Sequence, residues 1–135
     1  MMTYVRKFSL STQDKQEFKR LDSYLNVALE ESGVSEGMMF VYCPHTTAGI
    51  TINENADPDV KIDLGRALDE TFPNHAYFVH MEGNSDGHMK ASLMGASESL
   101  IIHDGKVVFG TWQSVYFTEF DGPRQRTFYV KVMAG

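Results

Sequence analysis

Short runs of alternating apolar and polar positions occupy both ends of the chain, and helical spacing dominates between them. From Met2 to Leu10, Val5 and Phe8 stand among polar residues, which predicts a strand. Leu21, Tyr24, Leu25, Ala28 and Leu29 follow the i, i+3, i+4, i+7, i+8 pattern of a helix, and Gly33 suits its C-terminal cap. Gln16 to Leu21 fits either a second strand or the start of that helix. Met38 to Tyr42 is an apolar run stopped by Pro44, and Thr46 to Ile52 is rich in β-branched residues, so both read as buried strands. Asp57-Pro58 opens a second helix, with Asp as cap and Pro at the first helical position. Its inner face is Val60, Leu64, Ala67 and Leu68, Ile62 lies off that face, and Pro73 ends it. Ser85 to Met94 makes a third helix, with Met89 and Leu93 expected to point inward and Gly95 closing it. Ile101–His103 and Lys106–Val108 flank Asp104-Gly105 as a two-residue hairpin. Trp112 to Phe120 is a long strand, whose Trp112, Tyr116, Phe117 and Phe120 are expected in the core or a subunit interface. Asp121-Gly122-Pro123-Arg124 turns the chain, and Arg126 to Met133 closes the sheet. Strands at both ends with helices between them predict an α+β fold: one domain over 1–135, about three helices, and a mixed, mostly antiparallel sheet.

Composition narrows the function classes. The 135 residues are 42% hydrophobic and 22% charged, as in an ordinary globular domain. The net charge of -6 argues against a nucleic-acid partner, which calls for a basic excess or stripe. No run approaches the roughly 20 apolar residues that span a bilayer, and Met1 to Leu10 lacks a signal-peptide apolar stretch. A single cysteine, Cys43, excludes an intrachain disulfide and fits a reducing compartment. The expectation is a cytoplasmic protein with neither a nucleic-acid nor a membrane partner.

Candidate chemistry gathers in five polar clusters: Pro44–Thr47, Asn53–Pro58, His80–Lys90, Gly110–Gln113 and Glu119–Arg126. Strand-to-helix corners before Asp57-Pro58 and before Ser85 offer free backbone N–H groups to an anion. Of the five histidines, His75 and His103 lie in loop and hairpin surroundings and read as surface residues. His45, His80 and His88 each neighbour a strand end or helix start, and three imidazoles are enough to hold a zinc ion with one position open. Their spacing matches no standard zinc pattern, so anion-binding and structural roles stand beside metal binding. Glu54, Glu82, Asp86, Glu119 and Asp121 are candidate acids, bases or Mg²⁺ ligands. Lys90, Arg124 and Arg126 are the cations suited to phosphate. Cys43 ends an apolar strand and reads as a small buried hydrophobe. No nucleophile elbow or Walker loop occurs.

In this order, His45-Thr46-Thr47, Asn53-Glu54-Asn55-Ala56-Asp57-Pro58, His88-Met89-Lys90-Ala91-Ser92, Gly110-Thr111-Trp112-Gln113 and Glu119-Phe120-Asp121-Gly122-Pro123-Arg124 resemble the YjbQ-like family, known as secondary thiamine-phosphate synthases. The resemblance spans nearly the whole chain, and the first 35 residues match in pattern only. Gly49 and Gly87 stand where it leads one to expect an alanine-like residue. It implies a homotrimer with sites near subunit boundaries. It also implies a weak transferase activity that joins a hydroxymethylpyrimidine diphosphate to a thiazole phosphate and releases pyrophosphate. Under that reading Glu54, His88, Lys90 and Arg124 are the catalytic candidates. Thr46, Thr47, Asn53, Asn55, Asn84 and Gln113 are the substrate-binding candidates. His45, His80 and His88 are the candidate ligands of a divalent metal, Zn²⁺ or Mg²⁺. The competing readings are a metal-dependent hydrolase that activates water, a non-catalytic trimer binding a phosphorylated metabolite, and a structural assembly protein.

Overall fold

The computed structural model describes residues 3–135, so Met2, placed by periodicity in the first strand, lies outside the described residues. The elements in chain order are β1 (Thr3–Ser11), β2 (Glu17–Arg20), α1 (Asp22–Ser32), β3 (Gly37–Tyr42), β4 (Ala48–Glu54), α2 (Pro58–Thr71), α3 (Ser85–Met94), β5 (Ser97–His103), β6 (Lys106–Val107), β7 (Gln113–Glu119) and β8 (Gln125–Ala134). Gln16 to Leu21 resolves as a strand followed by a helix start. Gly33 takes the left-handed conformation at the end of α1 (φ 66°), where a side chain would be strained.

The strands form two sheets, one ordered β1-β8-β3-β5-β6 and the other β2-β7-β4. Every pairing among them is antiparallel, which corrects the expectation of a mixed sheet. Apolar side chains from both sheets and from α1 meet in one core that includes Phe8, Leu25, Met39, Ile50, Val115, Phe117, Phe128 and Val130. Burying each such side chain contributes roughly 1.5–3 kcal/mol. Phe8 stacks on Phe128, and Tyr24 of α1 meets both rings edge-on. Strand β7 is central in the smaller sheet and buried on both faces. Val115 and Phe117 point into this core, while Phe120, just past the strand, joins Leu68 of α2 and Ala91 of α3 in a second cluster. That double burial explains why Ser114 to Glu119 show no exposed residue.

Helix α3 sits the other way round from its periodicity. Met89 and Leu93 are 43% and 60% exposed, while Asp86, Gly87, Lys90 and Ala91 are buried. Polar pairing and close approach outweigh the two apolar side chains. Lys15 reaches Asp86 at 3.0 Å, and Lys90 bonds Asp69 and, at 2.8 Å, Gln16. A methyl on Gly87 would lie 3.0 Å from the Phe120 carbonyl, and one on Gly49 of β4 would lie 2.5 Å from the Gly95 carbonyl. Both glycines therefore let α3 and its C-terminal turn press against β4 and β7.

One buried ion pair ties the two sheets together. Glu119 ends β7, Arg126 is the second residue of β8, and both are almost wholly buried. The guanidinium bonds both carboxylate oxygens, and its Nη2 donates to Thr47 Oγ1 at 2.8 Å. Thr12, just past β1, donates its hydroxyl to Glu119 Oε1 at 2.7 Å, and the backbone N–H groups of Phe120 and Asp121 donate to Oε2. Burial alone would raise the Glu119 carboxyl. The Arg126 guanidinium, the Thr12 hydroxyl and the Asp121 N–H together outweigh it and hold the group below the ordinary carboxylate value.

Two outcomes are expected. Asp57 caps α2 by accepting from Asp59 N–H at 2.9 Å, so Asp57→Ala is expected to cost about 1 kcal/mol, measured by urea unfolding. Glu119→Ala leaves Arg126 buried without its partner and is expected to cost about 3–5 kcal/mol. Because the Glu119 carboxyl titrates lower folded than unfolded, the pair's contribution is complete above the unfolded carboxyl range, about pH 4.3. It is lost as pH falls through the folded value. A stability-against-pH series should show that acid-side slope in the parent chain and a shallower one in Glu119→Gln.

Candidate functional site

The β3–β4 connection builds one wall of the site. Pairing of β3 with β8 ends at Tyr42 and Tyr129. The chain then swings away through Cys43 and Pro44, and the His45 ring takes the place of the next rung. Its Nε2 lies 3.0 Å from the Thr127 backbone N and 3.1 Å from the Thr127 carbonyl oxygen. With the proton on Nε2 the ring donates to that carbonyl and keeps a lone pair on Nδ1. In the other tautomer it accepts from the N–H. Burial, followed by the Arg126 charge, lowers the His45 pKa, so the ring is neutral at pH 7. Cys43 is buried, and burial pushes its thiol up to about 11, which leaves it unreactive.

The loop after α2 and the start of α3 build the facing wall. The loop carries His80 and Glu82. Asn84 stands at the N-cap position of α3 without a side-chain capping bond, and His88 follows one turn later. The His80 and His88 rings meet edge-to-face with centroids 5.3 Å apart, and Glu82 lies 3.9 Å from His80 Nε2. Asn84 donates to Asp121 Oδ2 at 2.7 Å, and its own Oδ1 is buried without a hydrogen-bond partner among the described residues. Arg124, half exposed, bonds the Asp121 carboxylate and carbonyl, each at 2.9 Å.

These walls enclose a cleft of about 370 Å³. His45, His80, His88, Thr46, Thr47, Asn84 and Arg124 all line it, together with Pro44, Glu82, Asp121 and Arg126. The cleft thus holds two guanidinium groups and two carboxylates, and its field is balanced rather than strongly cationic. The donor types suit a divalent metal: three imidazoles, one of which a backbone carbonyl orients when its proton is on Nε2, and an amide oxygen lacking a partner. As they stand, no three His, Cys, Asp or Glu side chains among the described residues converge on one point. The imidazoles ring the cleft, and side-chain rotation is needed to bring them onto one ion.

The remaining candidates lie elsewhere in the chain. Lys90 is buried against Asp69 and Gln16 and does not line the cleft, so it fixes α3 rather than facing a ligand. Asn55 spends its amide on the Gln113 carbonyl and Ser114 hydroxyl. Asn53, Glu54 and Gln113 line a separate groove with Ile52 and Trp112. That groove is at the far end of β4, six residues and therefore about 20 Å from the cleft. Trp112 is 62% exposed in the single chain, which removes the core from the two places expected for it, core or subunit interface, whereas Tyr116, Phe117 and Phe120 are buried. Glu82, Asp121 and Arg126 are the cleft residues that sequence reasoning left as general acid, base or cation candidates. Their signal was membership of the third and fifth polar clusters.

Comparison with known proteins agrees with this architecture. A family model described as UPF0047 protein YjbQ-like matches residues 6–135. A UPF0047 protein of Methanocaldococcus jannaschii is 50% identical over 127 residues, covering 94% of this chain and 92% of that protein. The UPF0047 protein YugU of Bacillus subtilis is 48% identical over 130 residues, covering 96% and 98%. The crystal structure of a YjbQ/UPF0047 family protein from Clostridium acetobutylicum superimposes with a TM-score of 0.93 at 54% identity, covering 95% of this chain and 99% of that one. With its α+β fold, antiparallel sheets and three helices, the chain belongs to the YjbQ-like UPF0047 family.

Proposed function

We propose that the cleft is the active site of a slow transferase that displaces pyrophosphate, of the secondary thiamine-phosphate synthase type. The observation that carries this reading is the meeting of His45, His80, His88 and Arg124 beside the N-terminus of α3 in one cleft. The first N–H groups of that helix, Ser85 and Asp86, lack intrahelical acceptors and carry partial positive charge. A diphosphate seated there meets Arg124. In the reaction the bond from the pyrimidine methylene carbon to the diphosphate oxygen breaks, and its electrons leave with pyrophosphate. The thiazole nitrogen lone pair then forms the new C–N bond. No strong base is required. The protein's task is to hold two phosphorylated molecules in line and neutralise the departing oxyanion. Glu82 and Asp121 would repel a bare diphosphate, so the balanced charge of the cleft favours a metal-bridged one. A divalent metal held by His45, His80 and His88 would supply that bridging charge.

A second reading is a metal-dependent hydrolase, in which the His45 tautomer that donates from Nε2 to the Thr127 carbonyl leaves Nδ1 for a metal. Glu82, beside His80, would accept the proton from water. Within one chain, Asn53, Glu54 and Gln113 take part in neither reading.

We also assign the chain to a cytoplasmic homotrimer. No helix among the described residues is long and apolar enough to cross a membrane. Tyr77, Val79 and Met81 are 73%, 94% and 100% exposed and interleave with His80 and Glu82 on the loop that walls the cleft. A loop that sends alternate residues into a cleft and apolar side chains into water is suited to cover by a neighbouring copy.

Two experiments follow. Incubation of the full chain with both phosphorylated precursors, with and without Mg²⁺ or Zn²⁺, should yield thiamine phosphate and pyrophosphate in equal amounts. Arg124→Ala and His88→Ala should each lower the rate about 10²-fold or more while leaving the melting temperature nearly unchanged. Phosphate release without ligation would favour the hydrolase, and pyrophosphate binding without turnover would favour a binding protein. Light scattering on the eluting chain should give a mass three times 15.2 kDa. Val79→Asp with Met81→Asp should shift it toward monomer.

A further inference from the structure

A second cavity, of about 500 Å³, shares His45, Thr46 and His88 with the cleft. Its other walls are Ala48, Ala91, Ser92, Gly95 and Ala96. Ala48 opens β4, Ala91 and Ser92 stand in the last turns of α3, and Gly95 and Ala96 carry the chain into β5. Main chain packs closely on main chain here: Ile50 N–H donates to the Gly95 carbonyl at 3.1 Å and Cys43 N–H to the Ala96 carbonyl at 2.7 Å. The Ala91 carbonyl accepts from Gly95 N–H at 3.0 Å, and the Ser92 hydroxyl donates to the His88 carbonyl at 2.9 Å. These polar groups are thus engaged within the chain, and no Asp, Glu, Lys or Arg lines the cavity. The cleft differs in kind, because it holds Arg124, Arg126, Glu82 and Asp121.

That division of charge decides what each cavity can take. An ionised group in the second cavity would lose water and meet no countercharge, which is costly. An uncharged organic group there covers alanine methyls and gains in proportion to the apolar area removed from water. An anion belongs in the cleft, where the Arg124 guanidinium supplies charge-assisted donors. A molecule with both parts has its junction at the residues common to the two cavities, His45, Thr46 and His88.

We infer that the second cavity is the specificity pocket of the cleft, and that it receives the compact uncharged body of a phosphate ester whose anionic end lies beside Arg124. This rests on the cleft being a phosphate site, and it adds what selects the ligand. The body is chosen by the small side chains of Ser92 and Ala96, and the bond from body to phosphate oxygen lies at the imidazoles. A free inorganic phosphate fills one half of the site and leaves the other empty.

The test compares inorganic phosphate with benzyl phosphate, each titrated calorimetrically into the full chain in the presence of Mg²⁺. Benzyl phosphate should bind at least tenfold more tightly, because its ring is taken out of water. Ser92 and Ala96 are exposed, so Ser92→Phe and Ala96→Phe should fold with the melting temperature nearly unchanged. Each should bring benzyl phosphate down to the affinity of inorganic phosphate, whose own binding stays within twofold. Equal affinity of the two phosphates in the parent chain overturns the inference and leaves the cleft reading standing. So does a benzyl advantage that persists in both variants. Binding of neither phosphate overturns the cleft reading, and the pocket's role falls with it.

Discussion

The fold depends on a charge pair placed where charge is most costly. Taking a guanidinium and a carboxylate out of water costs several kcal/mol each, and only close geometry with further hydrogen bonds offsets that. Glu119 and Arg126 have both. The carboxylate takes bonds from Arg126, Thr12 and the N–H groups of Phe120 and Asp121, and Arg126 Nη2, which bonds the carboxylate, also donates to Thr47. These partners come from the end of β7, the start of β8, the end of β1 and the approach to β4. One pair thus fixes the corner where the two sheets meet, and the cleft opens on that corner. Its Arg126 and Thr47 are cleft-wall residues as well as structural ones, so the site inherits the rigidity of the pair.

The same corner accounts for the orientation of α3. Gly87 rests against the Phe120 carbonyl, immediately after Glu119, and its lack of a side chain permits that approach. Once Gly87 and Ala91 face inward, Lys90 must be buried as well, and Asp69 and Gln16 neutralise and solvate it. His88 is then directed to the cleft. Met89 and Leu93 turn outward as a consequence.

How far the sequence could be read follows from this. Strand β8 was legible because one face is core and the other partly wet, so Phe128, Val130 and Val132 alternate with polar neighbours. Asp57-Pro58 was legible because a cap is local chemistry. Helix α3 was misread because periodicity counts apolar side chains. Here the inward face is built from small residues and a paired lysine, whose partners Asp69 and Gln16 lie 21 and 74 positions away. The division into two sheets was hidden for a related reason. Strand β7 is covered on both faces, so it reads as one buried run and does not reveal which strands flank it. For the site, polar clusters marked the right stretches of chain. Density of polar residues does not encode convergence, however, and Asn53–Pro58 and Gly110–Gln113 fold to the opposite end of β4 from the imidazoles.

That separation has a chemical consequence. The cleft offers three imidazoles and guanidinium groups already facing carboxylates, which suits the metal-bridged diphosphate proposed for it. The groove at the far end of β4 offers the Trp112 indole, the Gln113 amide and the Glu54 carboxylate. Two such different surfaces about 20 Å apart on one strand pair are difficult to reconcile with a single ligand held by a single chain. Either they serve separate ends, or neighbouring copies bring one chain's groove to another's cleft. A reaction between a ring that becomes cationic and a partner bearing phosphate would use both kinds of surface. The exposed Tyr77, Val79 and Met81 beside His80 mark the edge along which a neighbouring chain would have to approach. The arrangement of the copies, more than any single residue, therefore decides whether the two surfaces act on one event or two.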